Sequence, residues 1–384
     1  MAKTSQFTSL ANDPDHKRTR WETVLVSTPI ILTVVATVLA GLSSSEMSSA
    51  QYFRSLAAQM QSKASDQWGY FQAKKIRAEQ CGNTVEILRG ISQSTPVDAR
   101  DLRQAAKRLM DEMLRVRVHL ALRHRVVPLD LPVFTQLDEH ANAAAAFASQ
   151  LDTGTTRPDG TDDLAAFLRG EIPDIPEQPI GNQQIIGAVL AVDSRVPETD
   201  LERQAGQISQ DDLDQAITIA NENAAAFDKA LEQINPGRAR LEQARIGISR
   251  EAVAFESAAR QAPDEVIAME PADSIASIHE LSSQLSSAVA IAGLNLNSNR
   301  DQREAHYNQV LAQLLEVQVR RQSFISDRHR VRSRQFFYGM LGAQAGVTIA
   351  TFSLAVRRGS WLWGLAASAG LAAVTFAAYV YLFV

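Results

Sequence analysis

Three long uncharged runs lie at the two ends of the chain, and a polar middle separates them. The first run is Val24–Leu42, and the others are Phe336–Val356 and Trp361–Val384. Each is long enough for a helix rising 1.5 Å per residue to cross a hydrocarbon core of roughly 30 Å. We therefore predict three transmembrane helices, the last two forming a hairpin turned at residues 357–360. A cleaved signal peptide is the rival interpretation of the first run.

Apolar residues recur every three or four positions on both sides of the middle region. One such series runs from Phe53 to Ala78 after the first span, and another, interrupted by Arg, runs from Tyr307 to Val331 before the second. This spacing is typical of a coiled-coil seam. We predict an exit helix and a return helix that pack antiparallel as a stalk. The predicted stalk-packing residues are Trp68, Phe71, Tyr307, Leu314 and Phe324.

Prolines and glycines divide the rest of the chain, because both residues interrupt regular helices. Between the two stalk helices we predict a helical head that contains one Pro-rich irregular segment with a short strand at Ile185–Val192. A helix is expected to stop at Asn235–Gly237. The fold class is thus an all-α membrane protein with a stalk and a head. The predicted divisions are a basic tail (1–23), exit stalk helices (43–127), the irregular segment (128–198), head helices (199–271) and the return stalk helix (272–335).

Charge changes this picture at the membrane side of the return helix. The chain has a net charge of −5, but residues 317–335 carry six Arg and one Asp. Such a basic stretch beside an apolar run suits anionic lipid headgroups, although a solvated helix face is the alternative. The residues predicted to meet headgroups are Arg328, Arg330, Arg332, Arg334, Arg357 and Arg358.

Basic residues also bear on orientation. Lys17, Arg18 and Arg20 precede the first span, and the hairpin turn is basic too. Together they favour a cytoplasmic N-terminus with residues 43–335 outside, whereas the Arg-rich stretch 320–334 favours the reverse. We expect the first arrangement, because early spans weigh most in the positive-inside rule.

Small residues in the C-terminal runs are spaced for close helix packing. Gly342 and Gly346 form one such pair, and Gly364 and Ser368 form another. The three runs contain no Asp, Glu, Lys, Arg or His, which argues against an ion pathway or a proton relay in this chain.

Sequence motifs for catalysis or metal binding are missing. The chain has no phosphate-binding glycine loop, zinc-protease motif or serine-hydrolase elbow, and its single Cys81 excludes an internal disulfide. The acidic stretch Asp152–Asp163 fails the EF-hand pattern, since Arg157 stands where that loop needs glycine. We expect no cofactor, no metal and no nucleic-acid partner.

The stretch Ser65–Lys74, "SDQWGYFQAK", is dense in aromatic residues for a chain that is only 6% aromatic. This stretch fits the motif Ser-Asp-Gln-Trp-x-Tyr-x-Gln-Ala-Lys. With this motif after the first span and a C-terminal hairpin, the chain resembles an uncharacterised family of bacterial membrane proteins known only as a domain of unknown function. The resemblance implies an anchored helical architecture in a bacterial inner membrane and carries no mechanism. Within and just after the stretch, Asp66, Tyr70, Lys74 and Arg77 form a second helix face. We predict it to be a partner surface, with a solvated face or a contact with the return helix as the alternatives. Gly69, between Asp66 and Tyr70, suggests a close approach.

These patterns favour a non-enzymatic, membrane-anchored protein. We expect it to act as a scaffold, an accessory subunit or a homo-oligomer through its extramembrane helices, with membrane lipids and another membrane protein or a second copy as partners. A ligand sensor that binds at residues 152–197 and signals along the stalk to a separate partner is the alternative. An enzyme with a spatially assembled site is a third hypothesis.

Overall fold

The computed structural model describes residues 20–92, 99–124, 131–152, 163–172, 174–194, 196–261, 271–356 and 360–383. All regular elements among these residues are α-helices, which confirms the predicted all-α class. In chain order they are α1 (Arg20–Ser92), α2 (Ala99–His124), α3 (Leu131–Asp152), α4 (Asp163–Arg169), α5 (Gln183–Asp193), α6 (Glu198–Gln207), α7 (Gln210–Arg260), α8 (Pro271–Ala355) and α9 (Ser360–Phe383).

The chain divides into two compact units. Unit 1 contains the described residues of Met1–Ser62, Gly187–Gln210 and Leu315–Val384, and unit 2 those of Lys63–Ile186 and Asp211–Leu314. The long helices α1 and α8 contribute to both units.

In unit 1 the apolar ends of α1, α8 and α9 pack on one another. One buried cluster contains Leu39, Phe336 and Ala373, and a second contains Leu32 and Ala366. Large apolar side chains on the outer surfaces of α1 and α9 are exposed, including Ile30, Val34 and Leu371. An apolar exterior of this kind matches a lipid environment.

Two of the described helices, not three, are long and apolar enough to cross a membrane. These are α1 and α9, over Val26–Gly90 and Trp361–Phe383. The prediction of a span at Phe336–Val356 is therefore corrected. The helix ends at Ala355, and its last part is diluted by polar residues and glycines. These are Gly339, Gly342, Gln344, Gly346, Thr348, Thr351 and Ser353.

Unit 2 has a hydrophobic core to which α2, α3, α4, α7 and α8 contribute. The inner face of α2 is buried at the spacing that its sequence predicts, with Leu102, Leu109, Met113, Val116 and Leu120 almost completely covered. On α8 the spacing of apolar residues also predicts a buried series of Ile278, Leu281, Leu285, Ala288 and Ala292; four of these residues are buried, and Leu281 is half-buried.

Two local predictions are wrong. Residues 185–192 lie in helix α5, because the Asn182 side chain caps its first turn by accepting hydrogen bonds from the backbone N–H groups of Gln184 and Ile185 at 3.1 Å. Likewise, α7 does not stop at Asn235–Gly237 but continues through Pro236. Buried residues on both sides of this proline offset the lost backbone hydrogen bond.

The range predicted to be irregular, 128–198, contains α3, α4 and α5. The glycines and asparagines near position 295 do not interrupt α8. Instead, the Asn299 side chain donates a hydrogen bond to the Gly170 carbonyl at 2.8 Å. Gly170 ends α4 with a φ of +67°, a conformation that favours glycine. Thr95–Asp98 predicts a helix start, with a capping threonine followed by proline, but it lies outside the described residues, as do residues 1–19 of the basic tail and residues 153–162 of the acidic stretch.

Candidate helix-interaction site

A heptad seam joins α1 to α8 in each unit, and small residues dominate it. The seam positions recur at every seventh residue on both helices. Because the helices run antiparallel, a later seam position on α1 lies beside an earlier one on α8. In unit 1 the seam consists of Ala36, Ser43, Ala50 and Ala57 of α1 and Val319, Ser326 and Ser333 of α8. In unit 2 it consists of Ala64, Phe71, Ala78 and Val85 of α1 and Ile291, Ser298, Ala305 and Ala312 of α8.

Serine hydroxyls on α8 show how closely the two helices approach. In unit 1, Ser326 donates to the Ala50 carbonyl at 2.8 Å, and Ser333 donates to the Ser43 carbonyl at 2.8 Å. In unit 2, Ser298 donates to the Ala78 carbonyl at 2.9 Å. A short serine side chain reaches the neighbouring backbone only where both seam residues are small. These bonds fix the antiparallel register, since higher numbers on α1 pair with lower numbers on α8.

Charged residues reinforce the same register in unit 2. Lys74 forms ion pairs with Asp301, at 3.4 Å, and with Glu304. Arg300 contacts the same two carboxylates, at 3.0 Å and 3.4 Å. The Asp301 side chain is almost fully buried, at 4% exposure. The two cations compensate the two anions, and removing one partner would leave a buried charge without compensation.

The aromatic residues of Ser65–Lys74 separate onto two sides of α1. Trp68 and Phe71 are half-buried and meet edge to face, with ring centroids 5.5 Å apart. In contrast, Tyr70 is 60% exposed, and a Cβ added at Gly69 would meet nothing within 4 Å.

The four residues of the predicted partner face have two different surroundings. Asp66, Tyr70 and Arg77 lie on the exposed side of α1. Lys74 instead belongs to the contact with α8, which was one of the alternatives for this face.

Residues 22–119 match the family model DUF4337, a domain of unknown function. The DUF4337 match covers α1 from its third residue onward and most of α2, and it includes the whole Ser65–Lys74 stretch. It does not extend to α8 or α9, so the hairpin part of the predicted resemblance is not included. No curated protein and no solved structure matches the chain.

An open groove of about 750 Å³ runs beside the seam in unit 2. Phe71, Ala78 and Gly82 contribute its apolar lining, and Lys75, Glu79 and His306 are among its polar residues. The groove borders the part of α1 that lies within the DUF4337 match. Its mixture of charges and amides favours a polar surface contact over an enclosed small-molecule pocket.

The other predicted stalk-packing residues have three different surroundings. Leu314 is completely buried. Tyr307 packs on Phe227 and donates a hydrogen bond to Glu177 at 2.9 Å. Burial, followed by the hydrogen bond to this carboxylate, raises the pKa of Tyr307 to about 12. Phe324 lies in unit 1 against Gly206, where an added Cβ would come within 2.5 Å of the ring.

The arginines of α8 that precede its apolar part fall into two groups. Arg320 pairs with Glu198, and Arg321 donates to the Ile208 carbonyl at 2.8 Å and to Gln210 at 2.6 Å. These two residues therefore hold the α6–α7 connection. The residues predicted to meet headgroups differ: Arg328, Arg330 and Arg334 are exposed, Arg332 is half-buried, and Arg357 and Arg358 lie outside the described residues.

A histidine contact in unit 1 was not predicted. His329 lies 2.5 Å from the Glu46 carboxylate and stacks on the Phe53 ring, with centroids 5.4 Å apart. Glu46 and Phe53 are seven residues apart on α1. This spacing, together with the seven-residue alanine repeat, is the sequence signal that could have revealed the seam.

Only one of the four predicted small residues in the C-terminal helices contacts another helix closely. A Cβ at Gly346 would lie 3.3 Å from Leu32, whereas Gly342 and Gly364 have open surroundings. Ser368 is exposed and donates to the Leu365 carbonyl of its own helix at 2.9 Å. The packing glycine missed in α9 is Gly370, where an added Cβ would collide with Leu32.

A buried carboxylate in unit 2, Glu251, has two side-chain partners outside the seam. Glu251 is only 6% exposed and lies 2.7 Å from His140 and 2.6 Å from Arg250. Burial alone raises the pKa of Glu251, but the hydrogen bonds from His140 and Arg250 outweigh it, so the pKa is lowered. Among the described residues, no group of three or more His, Cys, Asp or Glu is placed to hold a metal ion.

Proposed function

We propose that the chain is a non-enzymatic, membrane-anchored helical protein that acts as a scaffold, an accessory subunit or a homo-oligomer. The observation that carries this proposal is the α1–α8 pair. Its serine-to-backbone hydrogen bonds and the Lys74 ion pairs fix one register, while the opposite side of α1 remains exposed. A rigid helix pair with one unused side is suited to holding another helix.

The anchoring part of the proposal rests on the apolar surfaces of α1 and α9. Arg328, Arg330 and Arg334 are exposed on α8 just before its apolar part, where they would meet anionic headgroups. Following the basic residues Lys17, Arg18 and Arg20 before the first span, together with the family resemblance, we place the protein in a bacterial cell membrane with its N-terminus in the cytoplasm. An Arg77→Cys substitution in a Cys81→Ser background should then react with an impermeant maleimide in intact cells. Reaction only after permeabilisation would reverse this orientation.

The decisive experiment for the scaffold function is sizing of the full chain. The protein is extracted in a mild detergent and its mass is measured by light scattering coupled to size exclusion. We expect a particle whose protein mass exceeds one chain of 42.0 kDa. A single chain without any bound protein, in several detergents and also after crosslinking in intact membranes, would refute the function.

A further inference from the structure

The exposed side of α1 in unit 2 carries its own heptad pattern. Every residue of this pattern is exposed, and successive members are separated by four or three positions. We call it the outer stripe; it consists of Gly69, Ala73, Ile76, Gln80, Asn83 and Ile87. Its two isoleucines are 53% and 61% exposed. Alternating steps of four and three, with apolar and small residues, are the pattern of a helix that packs on another helix.

Gly69 gives an independent indication of a close neighbour. Glycine destabilises the interior of a helix relative to alanine, and nothing within the chain requires it here, because an added Cβ would meet no atom within 4 Å. A residue that the fold itself does not need is explained by contact with something outside the chain. Ala73, one turn later, also has a small side chain, so a neighbouring helix could approach this part of the outer stripe closely.

The polar residues of the outer stripe point to a second copy of this chain. Gln80 and Asn83 belong to the outer stripe itself. Because an amide side chain is both a donor and an acceptor, each could form a hydrogen bond with the same residue of a second copy. Single polar residues at such positions also specify register.

The charged residues on either side of the outer stripe favour parallel over antiparallel pairing of the two α1 helices. In a parallel, in-register pair, Gln72 faces Arg77 of the other copy and Glu79 faces Thr84, so like charges do not meet. In an antiparallel pair centred on the stripe, Arg77 would face Arg77 and Glu79 would face Glu79, which is repulsive. Two chains anchored in one membrane through α1 also present this helix in the same direction.

We propose that two copies of the chain associate through the outer stripe, with their α1 helices parallel and in register. This inference rests on the proposed function, because it specifies the surface and the partner of the scaffold.

Disulfide crosslinking of the full chain in membranes tests the pairing. In a Cys81→Ser background, Ala73→Cys and Ile87→Cys are each oxidised and examined for a species of twice the chain mass. Val118→Cys on α2 is the control, since Val118 is apolar and 46% exposed but lies away from the stripe. We expect a dimer from each stripe variant and none from the control.

Three results would overturn the inference. No crosslink at either stripe position would exclude the surface. A crosslink only in a mixture of Ala73→Cys and Asn83→Cys chains would mean antiparallel pairing. A crosslinked band of another mass would mean a different partner. If sizing shows an assembly but the stripe variants form no crosslinked dimer, only this inference is refuted. If sizing and crosslinking both show a single chain, the proposed function is refuted as well.

A size change at Gly69 tests the close approach. Gly69→Leu should lower the yield of the Ile87→Cys dimer roughly tenfold, because overpacking an interface weakens association by about that factor. Gly187→Leu is the matched control, as Gly187 also lies in a helix with nothing within 4 Å of an added Cβ. Circular dichroism verifies that both variants remain helical. An unchanged dimer yield for Gly69→Leu would refute the close contact.

Discussion

Replacing a seam alanine by leucine should separate α1 from α8. In unit 1, Ala57 is 7% exposed, and one heptad earlier Ser326 donates a 2.8 Å hydrogen bond to the Ala50 carbonyl. Ala57→Leu adds three carbon atoms where the helices are held close by this bond. Overpacking a well-packed contact costs typically about 1–3 kcal/mol, and stretching the serine bond adds about 1 kcal/mol. We expect a loss of about 2–4 kcal/mol.

The neighbouring residue provides a matched control. Ala58 is exposed, so Ala58→Leu makes the same chemical change on the outer side of the same helix turn. Leucine and alanine have similar helix propensities, so the control should change stability by no more than about 0.5 kcal/mol.

Thermal unfolding in detergent, followed by circular dichroism, measures both variants. A change of 1 kcal/mol shifts the Tm of a large domain by roughly 2–4 °C, so Ala57→Leu should lower Tm by roughly 4 °C or more. Equal Tm values for the two variants would refute the idea that the seam sets the helix spacing.

Two further predictions concern α9 and the buried acid of unit 2. Gly370→Ala should lower Tm in detergent, because the new Cβ would collide with the buried Leu32 at a cost of about 1–3 kcal/mol. Gly364→Ala is the control and should not lower Tm, because Gly364 has open surroundings. Equal Tm values for the two variants would contradict this packing. The lowered pKa of Glu251 means that its stabilisation is present above its unfolded pKa and is lost as the pH falls below about 4.5. Glu251→Gln should therefore flatten the decline of Tm with acidification, and a decline as steep as that of the wild type would contradict the role of this carboxylate.

Periodicity alone predicted much of the helical architecture. The inner face of α2 and the early part of α8 were readable because large apolar residues recur there at helical spacing over several turns. The contact of α1 with α8 was harder to read. Large residues such as Met60 and Trp68 dominate the apolar pattern of α1, but they flank the seam and are only half-buried. The alanines form the centre of the seam. Small side chains contribute little to a hydrophobic pattern even where they determine the helix spacing.

Other features depend on tertiary contacts that no local pattern reveals. Pro236 and the apolar run at 185–192 carry local signals for a break and for a strand, yet packing and the Asn182 cap determine helices. Lys74 pairs with Asp301, which is 227 residues away in sequence, and the His140 partner of Glu251 is 111 residues away. Charge counting located the Arg-rich stretch 320–334 of α8 but did not separate Arg320 and Arg321, which bind within the fold, from the exposed arginines that follow.

The heptad seam also restricts how the length of the helix pair can change. Between Ala64 and Ala78 of α1, one inserted residue would turn all following seam positions by about 100° around the helix and direct the alanines away from α8. Seven inserted residues would restore the direction, but the antiparallel partner would then need seven more residues between Ser298 and Ala312. Insertions and deletions in unit 2 should therefore be tolerated only as whole heptads, made in both helices together.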